Sequence, residues 1–323
     1  MTVLSRRAFA LSVPALSLAG ASVLPAGGAI AQAQPPASRA VPPLARVSIG
    51  RFTVTALTDG FADMPFSYFV GRQPKEIEEA AAAQFAARPG GIRLVFTQYL
   101  IEDGERRILI DTGPAGLIGE SGKLPSALDA IGVRPESIDA VIVTHMHRDH
   151  IGGLVAGGRR NFPNAEIYVD RREVAHWTDP AKRSAAPDFL KSSFDASAEV
   201  IRLYPKLQAI DGERSLARGV SIVDLTGHTP GHIGVRIEDG GKSLMMVSDM
   251  LFHPSLHPAA TDIGFVFEQD PEAARAMRAR FFPRAAEEKA LIAATHMPFP
   301  GLGHIVSEGG RLRWLAAEWA YQA

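Results

Sequence analysis

The sequence predicts one α/β domain in which two sheets pack face to face with helices outside. Short apolar runs of strand length fall in two sets along the chain, each accompanied by stretches of helical composition, and no loop reads as a domain linker. The length of 323 residues, with 46% apolar and 21% charged residues, suits a chain that buries a sizeable core. With no cysteine in the sequence, that core has no disulfide to support it. A formal net charge of -1 gives no electrostatic reason to expect nucleic acid or an acidic membrane as partner, and a small neutral, apolar or aromatic substrate fits better.

Residues 1–33 read as an export leader outside the fold. Ser5-Arg6-Arg7-Ala8-Phe9 has the twin-arginine form, and the apolar stretch after it is broken by Pro14, Gly20 and Pro25, which argues against a stable membrane anchor. Cleavage after Ala31 or Ala33 would release the protein to the periplasm or beyond. Residues 34–44, rich in Pro, Ala and Gln, read as a disordered lead-in, and residues 45–323 as the domain.

Alternation predicts strands at 45–50 and 52–57, closed by Asp59-Gly60. The alanine-rich run from Pro74 to Arg88, acidic at its start, predicts a helix. Strands come next at 94–101 and 107–110 around the turn Glu102-Asp103-Gly104, then a helix at 125–131 and the apolar strand 138–143. Beyond these lie a strand at 166–169, a helix at 171–177 and a less regular stretch from Asp179 to Leu203. Strands at 220–225, 233–237 and 243–247, a helix at 271–282, and strand-like runs at 291–294 and 311–315 complete the domain.

Thr144-His145-Met146-His147-Arg148-Asp149-His150-Ile151-Gly152-Gly153 is the stretch the rest serves. Imidazole and carboxylate are ligands for zinc and similar ions. Two apart on an extended segment, His145 and His147 point the same way, whereas Asp149 and His150 turn toward a neighbouring position as a helix begins. Adjacent ligands facing different ways suggest two ions. Gly152 and Gly153 let the backbone pass close, where a Cβ would crowd it. Two ions need further ligands, and His228, Asp249 and His296 each stand just past a short apolar strand.

In these motifs the chain resembles the metallo-β-lactamase superfamily. The resemblance implies an αββα four-layer sandwich holding two divalent ions, zinc first, with manganese, cobalt or iron accepted by the same groups. By that likeness one ion takes His145, His147 and His228, the other Asp149, His150 and His296, and Asp249 bridges them. Asp249 and Asp149 are then the carboxylates at the reaction, which is attack by a hydroxide shared between the ions. Within the superfamily the chain is most similar to the methyl parathion hydrolase group with its lactonases and arylesterases, through 109–117, 162–165, 227–232 and Thr295-His296-Met297-Pro298-Phe299-Pro300-Gly301-Leu302-Gly303-His304. That likeness implies hydrolysis of lactones, aryl esters or phosphotriesters, with Trp177, Phe194 and Phe252 lining the substrate pocket, although each reads as ordinary core from the sequence alone, as do Phe265 and Phe267. Relatives that dimerise leave a homodimer open.

The homoserine-lactone lactonases place a tyrosine beside the metals, and Tyr204 stands in a context that does not match. No lysine or arginine forms a recognisable β-lactam carboxylate site, which disfavours antibiotic hydrolysis. Asp111 reads equally as a group orienting a ligand histidine or as a turn residue, and His304 as orienting or structural. His232 reads as a hydrogen-bonded core histidine, and His176, His253 and His257 as surface or pocket-rim residues. Other readings are an N-acyl-homoserine lactone lactonase, a di-iron redox enzyme of the same fold, and a non-catalytic binding protein, against which the complete ligand set argues.

Overall fold

Runs joined by turns and loops pair antiparallel, as do Phe52–Pro65 and Gly91–Glu102 across the helix between them, whereas the other runs joined through helices pair parallel, and this gives both sheets their mixed character. The computed structural model describes residues 42–318. The leader expected at 1–33 and most of the lead-in lie outside the described residues, and the first strand already begins at Leu44.

In the first sheet the spatial order is Leu44–Ile49, Phe52–Pro65, Gly91–Glu102, Arg107–Ile110, Ala140–Ile142, Glu166–Asp170 and Gln208–Ile210, with Ala87–Arg88 added on the third strand. The second sheet runs Arg214–Ala217, Val220–Asp224, Ile233–Asp239, Lys242–Met246, Leu291–Ala293, Leu302–Glu308 and Arg311–Ala316. Seven α-helices stand among the described residues. They are α1 (Pro74–Ala83), α2 (Leu124–Ala130), α3 (Arg148–Ile151), α4 (Arg171–Trp177), α5 (Pro180–Ala185), α6 (Asp188–Leu203) and α7 (Pro271–Glu287). None is long and apolar enough to cross a membrane.

Strand alternation sorts side chains into layers. Val54, Tyr99, Ile110 and Ile142 meet Ile222, Val235, Ile237 and Met246 between the sheets. Leu100, Leu109, Val141 and Val169 face the other way, onto Leu128 of α2 and Phe194 and Val200 of α6. On the far side Leu225, Met245 and Ile292 pack against Phe282 and Ala285 of α7. The order helix, sheet, sheet, helix is the αββα sandwich that the sequence predicts.

Three elements depart from expectation. α1 stops at Ala83, because Phe85 takes a left-handed φ of 57° and Ala87–Arg88 turns back to pair with the strand at Gly91. The stretch with no regular pattern in the sequence forms α5 and α6; Leu190, Ser193, Phe194, Ser197 and Val200 make a buried stripe whose serines hide the helical period. α7 continues through Pro283, where burial of Phe282 and Ala285 outweighs the roughly 3 kcal/mol an interior proline costs.

Candidate metal centre

The edge where the two sheets meet collects seven metal-capable side chains from four strand ends. Ala140–Ile142 is buried and paired on both edges, so the segment leaving it is fixed in direction. His147 is still extended (φ -65°, ψ 150°) and α3 starts at Arg148, which sends His145 and His147 to one side and Asp149 and His150 to the other. The close approach expected of the two glycines is real. A Cβ on Gly153 would lie 2.2 Å from the Thr112 carbonyl oxygen, and one on Gly152 2.8 Å from that of Pro114. His228 sits between Val220–Asp224 and Ile233–Asp239, on a loop whose Gly227 (φ +143°) leaves no room for a Cβ against Ala274. Asp249 comes after Lys242–Met246 in the turn Ser248–Met250, and His296 after Leu291–Ala293.

Nδ1 of His147 lies 3.0 Å from Nε2 of His145 and 3.0 Å from Nε2 of His228. On the other side Nε2 of His150 and of His296 lie 3.6 and 3.5 Å from the Asp149 carboxylate. Asp249 stands between the groups, 3.2 Å from each of His228, His150 and His296. The ligand atoms of His145, His147, His228 and Asp249 fall within 4.8 Å of one another, as do those of Asp149, His150 and His296.

Tautomers are set from behind. Asp111 accepts from the Thr144 amide (2.8 Å), the Thr144 hydroxyl (2.8 Å) and Nδ1 of His150 (2.9 Å), so Nε2 of His150 is left to coordinate. His296 donates Nδ1–H to the Val95 carbonyl (3.0 Å) with the same result, and Nδ1 of His145 donates to the Thr144 hydroxyl (3.2 Å). Burial first, then the neighbouring histidines, holds His145 and His147 well below the usual imidazole range. Burial also opposes protonation of His150 and His296, but the charge of Asp249, with Asp149, outweighs it and raises both. Burial would raise Asp249, yet the surrounding histidines draw it well below the carboxylate range. Three imidazole nitrogens converge at 3.0 Å beside two carboxylates, and one proton on His147 cannot satisfy both of its imidazole neighbours as a shared cation would. Divalent ions fit that donor set, and the site is a dinuclear metal-binding site.

The remaining expected residues lie elsewhere. Trp177 packs edge-on against His147 (centroids 5.1 Å apart) and donates its indole N–H to Glu173, Phe194 lies one layer further out on Trp177 (4.7 Å), and Phe252 stacks on His296 and lies tilted against His228 (both 5.9 Å). None of the three lines the cleft over the ligands, because the ring faces expected to meet substrate are taken by ligand imidazoles or by each other. The cleft, about 450 Å3, is walled instead by Met64, Pro65, Tyr68, Ile118, Phe189, Phe265 and Phe267, with His147, Asp149, His228 and Asp249 at its base. His304 is tied to the Ala290 carbonyl (2.9 Å), a strand-edge contact rather than one with a ligand. His232 is buried and bonded to the Leu225 carbonyl, and His253 and His257, expected at the surface or the pocket rim, are buried too. Tyr204 bonds to Leu154 and Phe162 within the helical layer.

Sequence reasoning missed Glu173. Its buried carboxylate accepts from the Met146 amide (2.8 Å), the Gly231 amide (2.7 Å) and Trp177, and so ties the first histidine loop to the loop carrying His228. Its place on α4, remote in the chain from both loops, leaves no local signal. Asp59, part of a turn by its sequence context, has a larger role. Fully buried, it accepts from the amides of Ala115, Gly122 and Leu124 and folds the loop that places Ile118 on the cleft wall.

An αββα sandwich with two histidine–carboxylate groups converging at one edge defines a dinuclear metal-dependent enzyme. Residues 97–296, more than half of the chain, match the Metallo-beta-lactamase superfamily model, and the protein belongs to that family. Among solved structures it is similar to the hydrolase AbOPH of the beta lactamase superfamily, at 27% identity and a TM-score of 0.82 over 88% of this chain and 100% of that one. It is also similar to AidC, a dizinc quorum-quenching lactonase solved with its product N-hexanoyl-L-homoserine, at 26% identity and a TM-score of 0.79 over 86% and 98%. The N-acyl homoserine lactonase of a Bacillus species is 29% identical over 160 residues, 43% of this chain and 57% of that protein, so the chain spans little more than half the length of that relative.

Proposed function

We propose that this hydrolase opens lactones of the N-acyl homoserine class, takes aryl esters as further substrates, and cleaves phosphotriesters only as a secondary reaction. The observation that carries this reading is the aromatic-walled cleft of about 450 Å3 that ends on both ligand groups, a size and lining suited to a small, largely apolar ester. Its likeness to a dizinc lactonase and to an N-acyl homoserine lactonase supports the choice of lactone over phosphotriester.

When bound, the metal pair supplies a Lewis acid for the carbonyl oxygen and lowers the pKa of a water toward neutrality. The chain does the rest. Asp249 holds the two ligand groups at a fixed separation, and Asp111 and the Val95 carbonyl keep the protons of His150 and His296 on the side away from the ions. Tyr68, Phe265 and Phe267, in mutual edge or tilted contact at 5.2–6.3 Å, form a rigid wall that excludes bulk water and orients the acyl portion.

Metal-reconstituted protein assayed against dihydrocoumarin, N-hexanoyl homoserine lactone, p-nitrophenyl acetate and paraoxon tests the order. Lactones are expected to lead paraoxon in kcat/KM by roughly tenfold or more, a gap of about 1.4 kcal/mol in barrier, with turnover abolished and metal content lowered in Asp249→Ala. No lactone turnover by protein carrying two ions per chain would refute the reading. The twin-arginine segment supports delivery to the periplasm or beyond. N-terminal sequencing of the periplasmic protein checks this, and recovery solely from cytoplasm with residues 1–33 attached speaks against it.

A further inference from the structure

One wall of the cleft is polar, and the hydrolysis of an ester does not by itself call for it. Arg148 lies between two ligands in sequence and lines the cleft partly buried, beside Ser192 and Ser193 of α6. Its amide donates to the Ser193 hydroxyl (3.1 Å), which fixes the backbone against α6. Its guanidinium makes no ion pair or hydrogen bond with any described residue, and neither does the Ser192 hydroxyl. The carboxylates around it are engaged elsewhere. Asp149 is directed at His150 and His296, and Asp63 on the rim is held by both ends of the Arg93 fork at 2.8 and 2.9 Å. Arg148 is therefore a cleft cation without a counter-ion among the described residues.

We propose that Arg148, with Ser192, is a subsite for a carboxylate carried by the substrate away from the bond that is cut. This inference rests on the ester and lactone reading and extends its substrate class beyond neutral esters and lactones to those that carry an acid. A carboxylate meets a guanidinium with two parallel charge-assisted bonds about twice as strong as those to a neutral carbonyl, and a cleft that sheds water around a bound substrate strengthens them. A neutral acceptor would be served as well by an uncharged donor such as serine, at no cost of desolvating a charge. Sharing the cleft with Tyr68 and Phe267, the subsite would read a molecule with an apolar body and an anionic end.

Two esters of matched length, p-nitrophenyl butyrate and the mono-p-nitrophenyl ester of succinic acid, separate the possibilities. The native enzyme is expected to favour the succinate ester in kcat/KM, and the preference should shrink as salt is raised. In Arg148→Met the ratio of the two kcat/KM values should fall by roughly tenfold or more, mostly through KM, with Arg148→Lys restoring part of it and metal content held at two ions per chain. Equilibrium binding gives a readout free of turnover. Succinate should bind the metal-loaded protein more tightly than butyrate, and the difference should vanish in Arg148→Met. A ratio and a binding difference unmoved by Arg148→Met, or no native preference for the acid ester, overturns the subsite. Failure of the native enzyme to cut either ester tells instead against the hydrolytic reading, while the binding comparison still decides the subsite.

Discussion

Asp111 shows how much a single carboxylate behind a ligand can decide. It is buried, sits at a left-handed φ of 58°, and receives three hydrogen bonds, one of them from His150. In Asp111→Asn the side-chain amide suits that backbone conformation but presents N–H to Nδ1 of His150, which pushes the imidazole proton onto the nitrogen that should coordinate. Zinc affinity or kcat is expected to drop about 10- to 100-fold, as for other partners of metal-bound histidine, measured by metal titration and steady-state kinetics. Glu173 acts on the backbone instead. Its burial raises its pKa even though the amides of Met146 and Gly231 and the Trp177 indole favour the charged form. Glu173→Gln turns at least one acceptor into a donor facing a donor, and urea unfolding should show a loss of about 1–3 kcal/mol. At this scale the sequence is most informative for the ligands, each announced by an apolar strand just before it. Glu173 and the cleft aromatics are not legible, because their roles exist only where segments distant in the chain meet.

Among the elements, the segment between Asp249 and α7 contains two histidines that the sequence does not mark as interior. His257 is buried, bonded through Nε2 to the Ile263 carbonyl (2.9 Å), and burial, then the nearby Arg278 charge, lowers its pKa to about 3. Burial alone lowers His253 to about 4. Unfolded, both titrate near 6.5, so below that pH the unfolded chain binds protons that the folded one refuses. Their contribution to stability is whole above about pH 6.5 and is lost as pH falls toward 3–4. Denaturant midpoints across that range should decline, and replacing His257 with leucine should flatten the decline. The loop at 113–124 depends on Asp59 for three backbone contacts, and Asp59→Ala should lower unfolding free energy by about 2 kcal/mol and raise KM, as Ile118 leaves the cleft wall. The strands are readable because alternation marks a half-buried sheet directly. α6 is not, since its buried stripe includes Ser193 and Ser197, which only tertiary contact identifies as interior.

Across the whole molecule the ligands come from both halves of the sandwich. His145, His147, Asp149 and His150 extend from a strand of the first sheet, while His228, Asp249 and His296 belong to the second. Ions bound there stabilise only the assembled state, by an amount that grows with metal concentration over its dissociation constant. Chelation with EDTA should therefore lower the melting temperature by several degrees, with readdition of zinc restoring it, tracked by calorimetry. The sandwich itself is legible as two sets of strands with attendant helices, but the seam between them is not, because no stretch of sequence says which ends of the strands will share an edge. That seam also separates two kinds of inheritance. Groups that grip the ions follow at once from the ends of strands locked by the core, whereas Tyr68, Ile118, Phe189 and Phe267 sit on turns and helix starts away from those ends, where exchange of a residue leaves the scaffold standing. A lineage built this way can change its diet by redecorating the entrance while its reactive machinery passes down untouched.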